Sequence, residues 1–277
     1  MTGDRSQRPR EQDSDRTAGV APHPVMPEYY GRAEARQDWV DGMFDRTAGD
    51  YDWITDIMSF GSGRWYRRWA LQRYGVSPGM RLLDVGSGTG VIAQAAQQQV
   101  GPEGAVVALD PSRGMLAQAG QAGVVAPVNA RAEALPLGSN AFHRLTMGYA
   151  LRHVDDLVAT FSEFRRVLAP GGRLLLLEIT PPRGRFGYRA LRFYLRRVVP
   201  LIARLGRRSR DAELLMRYYW DTIDACVPPE RILEALQAAG LEAVQRHVIG
   251  GIFSEYSGTK PASVDSSVAC QADQGNA

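Results

Sequence analysis

RLLDVGSGTG, residues 81–90, sets the plan of the chain. Residues 81–85 read as a short strand buried on both faces, and the glycines after them mark a tight strand-to-helix turn. Gly86, Gly88 and Gly90 fall on alternate positions, so the backbone can bend sharply and approach a ligand where a Cβ would clash. The helix expected from Val91 points its free N–H groups at that ligand. Asp84 adds one negative charge at the strand's carboxyl end.

That charge separates two readings. A dinucleotide site wants G-x-G-x-x-G, and here the third glycine comes one residue early while Val91 stands where the dinucleotide glycine belongs. A carboxylate suits a cationic ligand end, such as the α-amino group of an amino acid. The run AVVALD then ends in Asp110, where an acid accepts hydrogen bonds from ribose hydroxyls. Acid, spaced glycines and a second acid together describe a site for S-adenosyl-L-methionine (SAM), with the amino-acid end at Asp84 and the ribose at Asp110. The competing reading is a Gly-rich turn with a purely structural role.

With 277 residues the chain is long enough for one domain with decorations, and 44% hydrophobic with 23% charged residues is an ordinary soluble composition. The net charge of +3 is too small to imply a polyanionic partner by itself. Two cysteines, Cys226 and Cys270, make no disulfide framework, which fits a reducing cytoplasm. No signal-peptide pattern opens the sequence and no apolar run reaches membrane-spanning length. Residues 1–27 and 257–277 are polar and aperiodic and are expected to be disordered, leaving a folded unit over 28–256.

Residues 37–74 are helical in pattern and rich in aromatics, an N-terminal cap (28–75) over the cofactor mouth. Most of its Trp and Tyr side chains read as packing. Tyr51 and Asp52, following Gly49 in a turn-like setting, are candidates to face a ligand. Beyond the glycine turn, strands and helices alternate, which gives an α/β fold with a parallel sheet and helices on both faces. The expected elements are helix 91–100, strand 105–110, helix 112–120, strand 124–129, strand 143–150, a helix capped by Asp155 and running to 168, and strand 173–179. A helix over 228–239 and a strand pair over 241–256 close the unit. Ligands bind beyond the carboxyl ends of such strands, where Asp84, Asp110, residues 130–132, residues 148–153 and Glu178 converge.

Arg183, Arg185, Arg189, Arg192, Arg196, Arg197, Arg204, Arg207, Arg208 and Arg210 follow one another with no acid between them, interleaved with Leu191, Tyr194, Leu195, Val198, Val199, Leu201, Ile202 and Leu205. This inserted lid, 181–220, reads either as a basic amphipathic helix lying on an anionic membrane or as a solvated cover. The aliphatic interleaving and the lack of a binding signature argue against nucleic acid.

RLLDVGSGTG, ALDPSRGML, ARAEALPLGSNAF, YALRHVDD and RVLAPGGRLLLLEI resemble, in order and spacing, the class I SAM-dependent methyltransferases. FDRTAGDYDWITDIMSFG and the VVPLIARL and RDAELLMRYYWDTI stretches narrow the likeness to the C-methyltransferases of ubiquinone and menaquinone biosynthesis. The resemblance spans residues 44–253. It implies a Rossmann-like seven-stranded sheet with the last strand antiparallel. It also implies SAM held by Asp84, Gly86, Gly88, Thr89, Gly90, Asp110, Pro111, Met115, Arg131, Ala132 and Gly148. Tyr51 and Arg152 match the family's quinol-pocket tyrosine and arginine. Two positions depart from the pattern: Arg131 stands where the family has Asp or Asn, and His153 where it has Asn beside Arg152.

SAM brings an activated methyl group, so the protein must supply alignment, a dry site and a stronger nucleophile. For a hydroquinone or phenol, Arg152 is expected to stabilise the phenolate and His153 to take the proton, or else merely to hydrogen-bond backbone. No metal is expected, since no His/Cys cluster has ligand spacing. The leading reading is C-methylation of a prenylated quinol by a cytoplasmic enzyme that touches the inner face of the membrane through its lid, with homodimerisation allowed. The alternatives are a C- or O-methyltransferase for a soluble aromatic or polyketide, and a non-catalytic SAM-binding protein.

Overall fold

Two adjacent hydrophobic residues, Leu82 and Leu83, are both fully buried but belong to different cores, and this alternation shows how the sheet is built. In a computed structural model describing residues 19–207 and 209–262, Arg81–Val85 (β1) lies between Ala105–Asp110 (β2) and Phe142–Gly148 (β4), parallel to both. Pro127–Asn129 (β3) adds to the β2 edge, and Leu168–Ile179 (β5) pairs with β4. Phe253–Thr259 (β7) runs antiparallel to β5, and Glu242–Ile249 (β6) closes the edge, for the order β3-β2-β1-β4-β5-β7-β6. The seven strands and the antiparallel β7 are as expected.

Helices cover both faces. Gly63–Arg73 (α3) and Val91–Val100 (α4) pack with Leu82, Ala108 and Leu175; Leu157–Val167 (α6) and Pro229–Ala238 (α10) pack with Leu83, Leu145 and Leu174. Caps explain where several helices start. Ser112 Oγ accepts from Met115 N at 3.1 Å to open Arg113–Gln121 (α5), and Asp156 Oδ1 accepts from Val158 N at 2.7 Å and Ala159 N at 3.1 Å to open α6. The cap is therefore Asp156, one residue beyond the expected Asp155. Asp155 instead pairs with Arg36 and Arg131 at 3.7 and 4.0 Å.

The N-terminal cap is the short helix Pro27–Tyr30 (α1), the long Arg36–Met58 (α2), and α3. Gly49, Tyr51 and Asp52 lie inside α2, so the expected turn there does not exist. The lid comprises Arg185–Phe193 (α7), a π-helical turn Tyr194–Val198, Val199–Arg207 (α8) and Arg210–Asp224 (α9). It is not one surface helix. Leu195, Val199 and Ala203 join Met43 and Ile54 of α2 and Leu215, Met216 and Trp220 of α9 in a third core. Tyr218, Tyr219 and Trp220 are almost fully buried, so α9 is the lid's interior wall rather than its cover.

The folded unit also begins earlier and ends later than 28–256. The Val20 and Pro22 carbonyls accept from Leu157 N and Val227 N at 2.9 and 2.8 Å, Met26 is buried, and β7 continues to Thr259. The remainder of the two tails expected to be disordered, with Cys270, lies outside the described residues.

Candidate active site

At the carboxyl ends of β1, β2 and β4 the sheet opens into a cavity of about 700 Å³. Gly86, Gly88, Asp110, Pro111, Met115, Arg131, Ala132, Gly148 and His153 line it, and α2 covers it with Gln37, Val40, Asp41, Phe44 and Tyr51. Glycine is required at Gly86, and a side chain at Gly148 would have to displace Ile92. A Cβ on Gly86 would lie 2.5 Å from Ala150 Cβ, with φ at +63°, and one on Gly148 would run into Ile92 Cδ1.

Asp84 is fully buried and does not reach the cavity lining. Its Oδ1 accepts from Thr146 Oγ1 at 2.8 Å, while Oδ2 has no hydrogen-bond partner among the described residues. Burial pushes its carboxyl up to about 7, although the Thr146 hydroxyl works in the other direction. Asp110 accepts from Gly88 N at 2.8 Å through Oδ2 and from Ser112 N at 2.9 Å through Oδ1. Burial outweighs those two donors and raises its carboxyl to about 6.

Two further residues of the glycine turn act locally. Thr89 donates its hydroxyl to Asp52 of α2, tying the turn to the cap. Gly90, with φ at +85°, packs against Ala119 and Val124 as it opens α4 and does not line the cavity. Arg131 turns toward the cap, 3.5 Å from Asp41, so an acid does approach this part of the cavity, but from α2.

A second cavity, of about 1330 Å³, adjoins the first. Tyr51 and Tyr149 line both. Its remaining walls are largely aromatic and aliphatic: Met58, Phe60, Trp65 and Tyr66 from the cap, Leu191, Tyr194, Leu195 and Tyr219 from the lid, and Ile179, Ile249, Ile252 and Phe253 from the β5, β6 and β7 ends. Among the described residues, Arg67 of α3 is the one charged residue in this lining. Tyr149 holds φ at +62°, a conformation costly for an aromatic residue, with its N–H bonded to the Leu177 carbonyl at 2.7 Å and its own carbonyl accepting from Arg152 at 3.2 Å.

The structure corrects the roles expected for the Arg–His pair. Arg152 is fully buried and lines neither cavity. Its Nε donates to Glu178 Oε2 at 3.0 Å, and its other nitrogens donate to Thr222 Oγ1 at 2.7 Å and to the Tyr219 and Tyr149 carbonyls at 3.3 and 3.2 Å. Burial opposes its charge, but the Glu178 carboxylate outweighs burial and holds it above its usual range. A guanidinium so engaged positions Tyr149 and Tyr219 and has no face left for a phenolate.

His153 lines the first cavity and not the second, with its ring edge-on to Phe44 at 5.2 Å and stacked on Tyr218 at 5.6 Å. Burial, reinforced by Arg152, His23 and Arg36, holds its imidazole well below its ordinary value and therefore neutral. Both ring nitrogens lack a partner among the described residues. A neutral imidazole confined to the first cavity does not support the proton-abstracting role.

The sequence matches the ubiE/COQ5 methyltransferase family over residues 32–260. The ubiquinone/menaquinone biosynthesis C-methyltransferase UbiE of Saccharophagus degradans is 33% identical over 230 residues, covering 80% of this chain and 91% of that protein. The protein of the same description from Shewanella sp. (strain ANA-3) is 32% identical over 236 residues, covering 82% and 93%. Among solved structures, Haemonchus contortus phosphoethanolamine N-methyltransferase 2 in complex with S-adenosyl-L-methionine has a TM-score of 0.58 at 18% identity, over 83% of this chain and 61% of that one. A SAM-dependent methyltransferase from Aquifex aeolicus has a TM-score of 0.52 at 16% identity, over 70% and 89%. At such identities these two speak to the fold, that of the class I methyltransferases. The first cavity fits SAM on its own terms: a glycine cradle that a side chain at Gly86 would fill and the Asp110 carboxylate at the lining, with the Asp84 carboxylate buried behind it.

Proposed function

Because the chain belongs to the ubiE/COQ5 methyltransferase family and is a SAM-dependent methyltransferase, we propose that it methylates a ring carbon of a prenylated quinol. The observation that carries this reading is the junction of the two cavities at Tyr51 and Tyr149. One side is glycine-lined and carboxylate-bearing, and the other is aromatic, aliphatic and nearly uncharged, as a quinol ring with an isoprenoid tail requires.

Bound SAM supplies a methyl group on a sulfonium: the ring carbon takes the methyl, the C–S electron pair stays on sulfur, and a ring proton leaves to solvent. The chain's own part is binding and alignment. Asp84, buried behind the glycine turn, would act on the α-ammonium by its charge rather than by contact at the lining, Asp110 would face the ribose hydroxyls, and Ala132 and Arg131 would flank the base with Asp41 beside them. Tyr51 and Tyr149 set the ring at the junction, and burial among aromatic side chains keeps water away from it. His153 contributes a neutral imidazole to the cofactor side.

The lid supports contact with a membrane. Phe186, Phe193, Leu201 and Leu205 are 87, 64, 54 and 69% exposed among arginines, while Phe60, stacked on Tyr194 at 5.5 Å, is itself 83% exposed. Phe60 and Tyr194 line both the acceptor cavity and a surface groove that continues along Val198 and Ile202, a path for a tail entering from a bilayer. Incubation with methyl-labelled SAM and demethylmenaquinol in phosphatidylglycerol vesicles tests the reading. Label in the extracted quinol supports it, whereas label only in a soluble phenol supplied alongside overturns it.

A further inference from the structure

Among the described residues, Arg67 is the single charged side chain in the acceptor cavity's lining. Three arginines around the cavity are committed to carboxylates: Arg64 to Asp52 and Asp56 at 3.7 and 3.4 Å, Arg73 to Glu255, and Arg152 to Glu178 at 3.0 Å. No carboxylate pairs with Arg67 among the described residues. Its guanidinium instead lies over the ring of Tyr149, with Cζ 4.9 Å from the centroid. A cation held over a ring in this way keeps its charge and its N–H donors.

Room is kept for the group one helical turn earlier. A Cβ on Gly63 would lie 2.8 Å from Arg67 Nη1, and Gly63 itself lines the cavity. The position is therefore half-buried, apolar around, cationic, and beside Tyr149, which borders the cofactor cavity. In such surroundings an oxyanion a few ångströms from a guanidinium is stabilised far more than in water, because little solvent screens the pair.

We infer that Arg67 receives the acceptor's ring hydroxyl and holds its oxygen as the phenolate during methyl transfer, the part expected from the sequence for Arg152. The inference rests on the reading of the second cavity as an aromatic acceptor site. The hydroxyl proton passes to water at the cavity mouth. The charge left on oxygen raises electron density at the ortho carbon, which is the carbon that takes the methyl. Tyr149 is then a positioning residue, holding the guanidinium by its ring while Arg152 fixes its backbone.

The test uses the full chain saturated with S-adenosylhomocysteine and the probe 1-nitro-2-naphthol, whose absorption distinguishes phenol from phenolate. In the wild type, binding lowers the probe's apparent pKa by about one unit, a tenfold change in ionisation. In Arg67→Met the bound probe ionises at or above the pH of the free naphthol. Arg67→Lys restores most of the difference, and Arg68→Met, an exposed neighbour on α3, behaves as wild type. Uptake of S-adenosylhomocysteine reports that each variant is folded, and Arg67→Gln replaces the methionine variant if that one is not.

In turnover, Arg67→Met lowers kcat at least tenfold, leaves the KM for SAM unchanged and moves the kcat profile to higher pH. Equal probe ionisation in wild type and both neutral variants overturns the inference, as does failure of the wild type to take up the naphthol. If ionisation depends on Arg67 but no quinol is methylated, the quinol reading falls and the role of Arg67 stands.

Discussion

Tyr51 and Tyr149 come from separate elements, one from the cap helix α2 and one from the loop after β4, and together they border both cavities. Burial pushes both phenols well above their ordinary range, so neither ionises near neutral pH and neither is the base. They act as walls. Tyr51→Phe is expected to keep most activity, while Tyr51→Ala, which opens the wall, is expected to raise the acceptor KM and lower kcat together. Steady-state kinetics with the quinol varied at saturating SAM checks both variants.

SAM affinity should follow the ionisation of Asp84. Its carboxyl, raised to about 7, is protonated in the folded apo protein up to that pH, whereas the unfolded chain ionises it near ~3.9. The sign is therefore that apo stability falls as pH rises between those values, because the folded state binds the extra proton. Cofactor affinity runs the opposite way, rising through about pH 7 as the buried carboxylate forms behind the glycine turn and attracts the α-ammonium. Calorimetry at several pH values should show tighter binding on the alkaline side in the wild type. In Asp84→Asn binding should be weaker and nearly flat with pH.

Breaking the Arg152–Glu178 pair should cost stability before chemistry. Removing one partner of a fully buried, hydrogen-bonded pair costs about 3–5 kcal/mol, and Arg152 also releases the Tyr149 and Tyr219 carbonyls. Arg152→Met should therefore lower the denaturant midpoint sharply, whereas Arg67→Met, whose side chain has no carboxylate partner among the described residues, should leave it nearly unchanged. Urea titrations of the two variants decide between a structural and a chemical arginine at position 152.

The cradle is equally open to test. Gly86→Ala forces a Cβ to 2.5 Å from Ala150 Cβ at a backbone with φ of +63°, where an L-residue is strained. A cost of about 1–3 kcal/mol and at least a tenfold loss of SAM affinity are expected. Gly138→Ala, which meets nothing within 4 Å, is the control and should change neither.

What was legible in the sequence was what local chemistry controls. Strands 81–85 and 105–110 and helix 91–100 fall where apolar runs, glycines and caps put them. The strand expected over 124–129 shrank to Pro127–Asn129 because Val124 turns down against Gly90 and gives its N–H to Ala119. Gly49 suggested a turn, but α2 is packed along its length by the lid and α5, and tertiary contacts override one glycine.

The site itself was half legible. Gly86, Gly88, Asp110 and Gly148 stand at the first cavity as expected. Arg152 read as a free cation because its partner Glu178 lies in another strand, and sequence shows a charge without its counter-charge. Asp41 and Arg67 carry no sequence signal of their own for the same reason, since each matters through what the fold brings beside it. The one local signal was Gly63 four residues before Arg67, a gap on the helix surface into which a long side chain can fold.

The most direct test is where the methyl group lands. Turnover of demethylmenaquinol with carbon-13 methyl SAM, followed by NMR of the extracted product, should give a single labelled methyl bonded to a ring carbon, with the hydroxyls intact. A labelled methoxy carbon, or unmodified quinol recovered from an enzyme that binds SAM, would contradict carbon transfer in this pair of cavities.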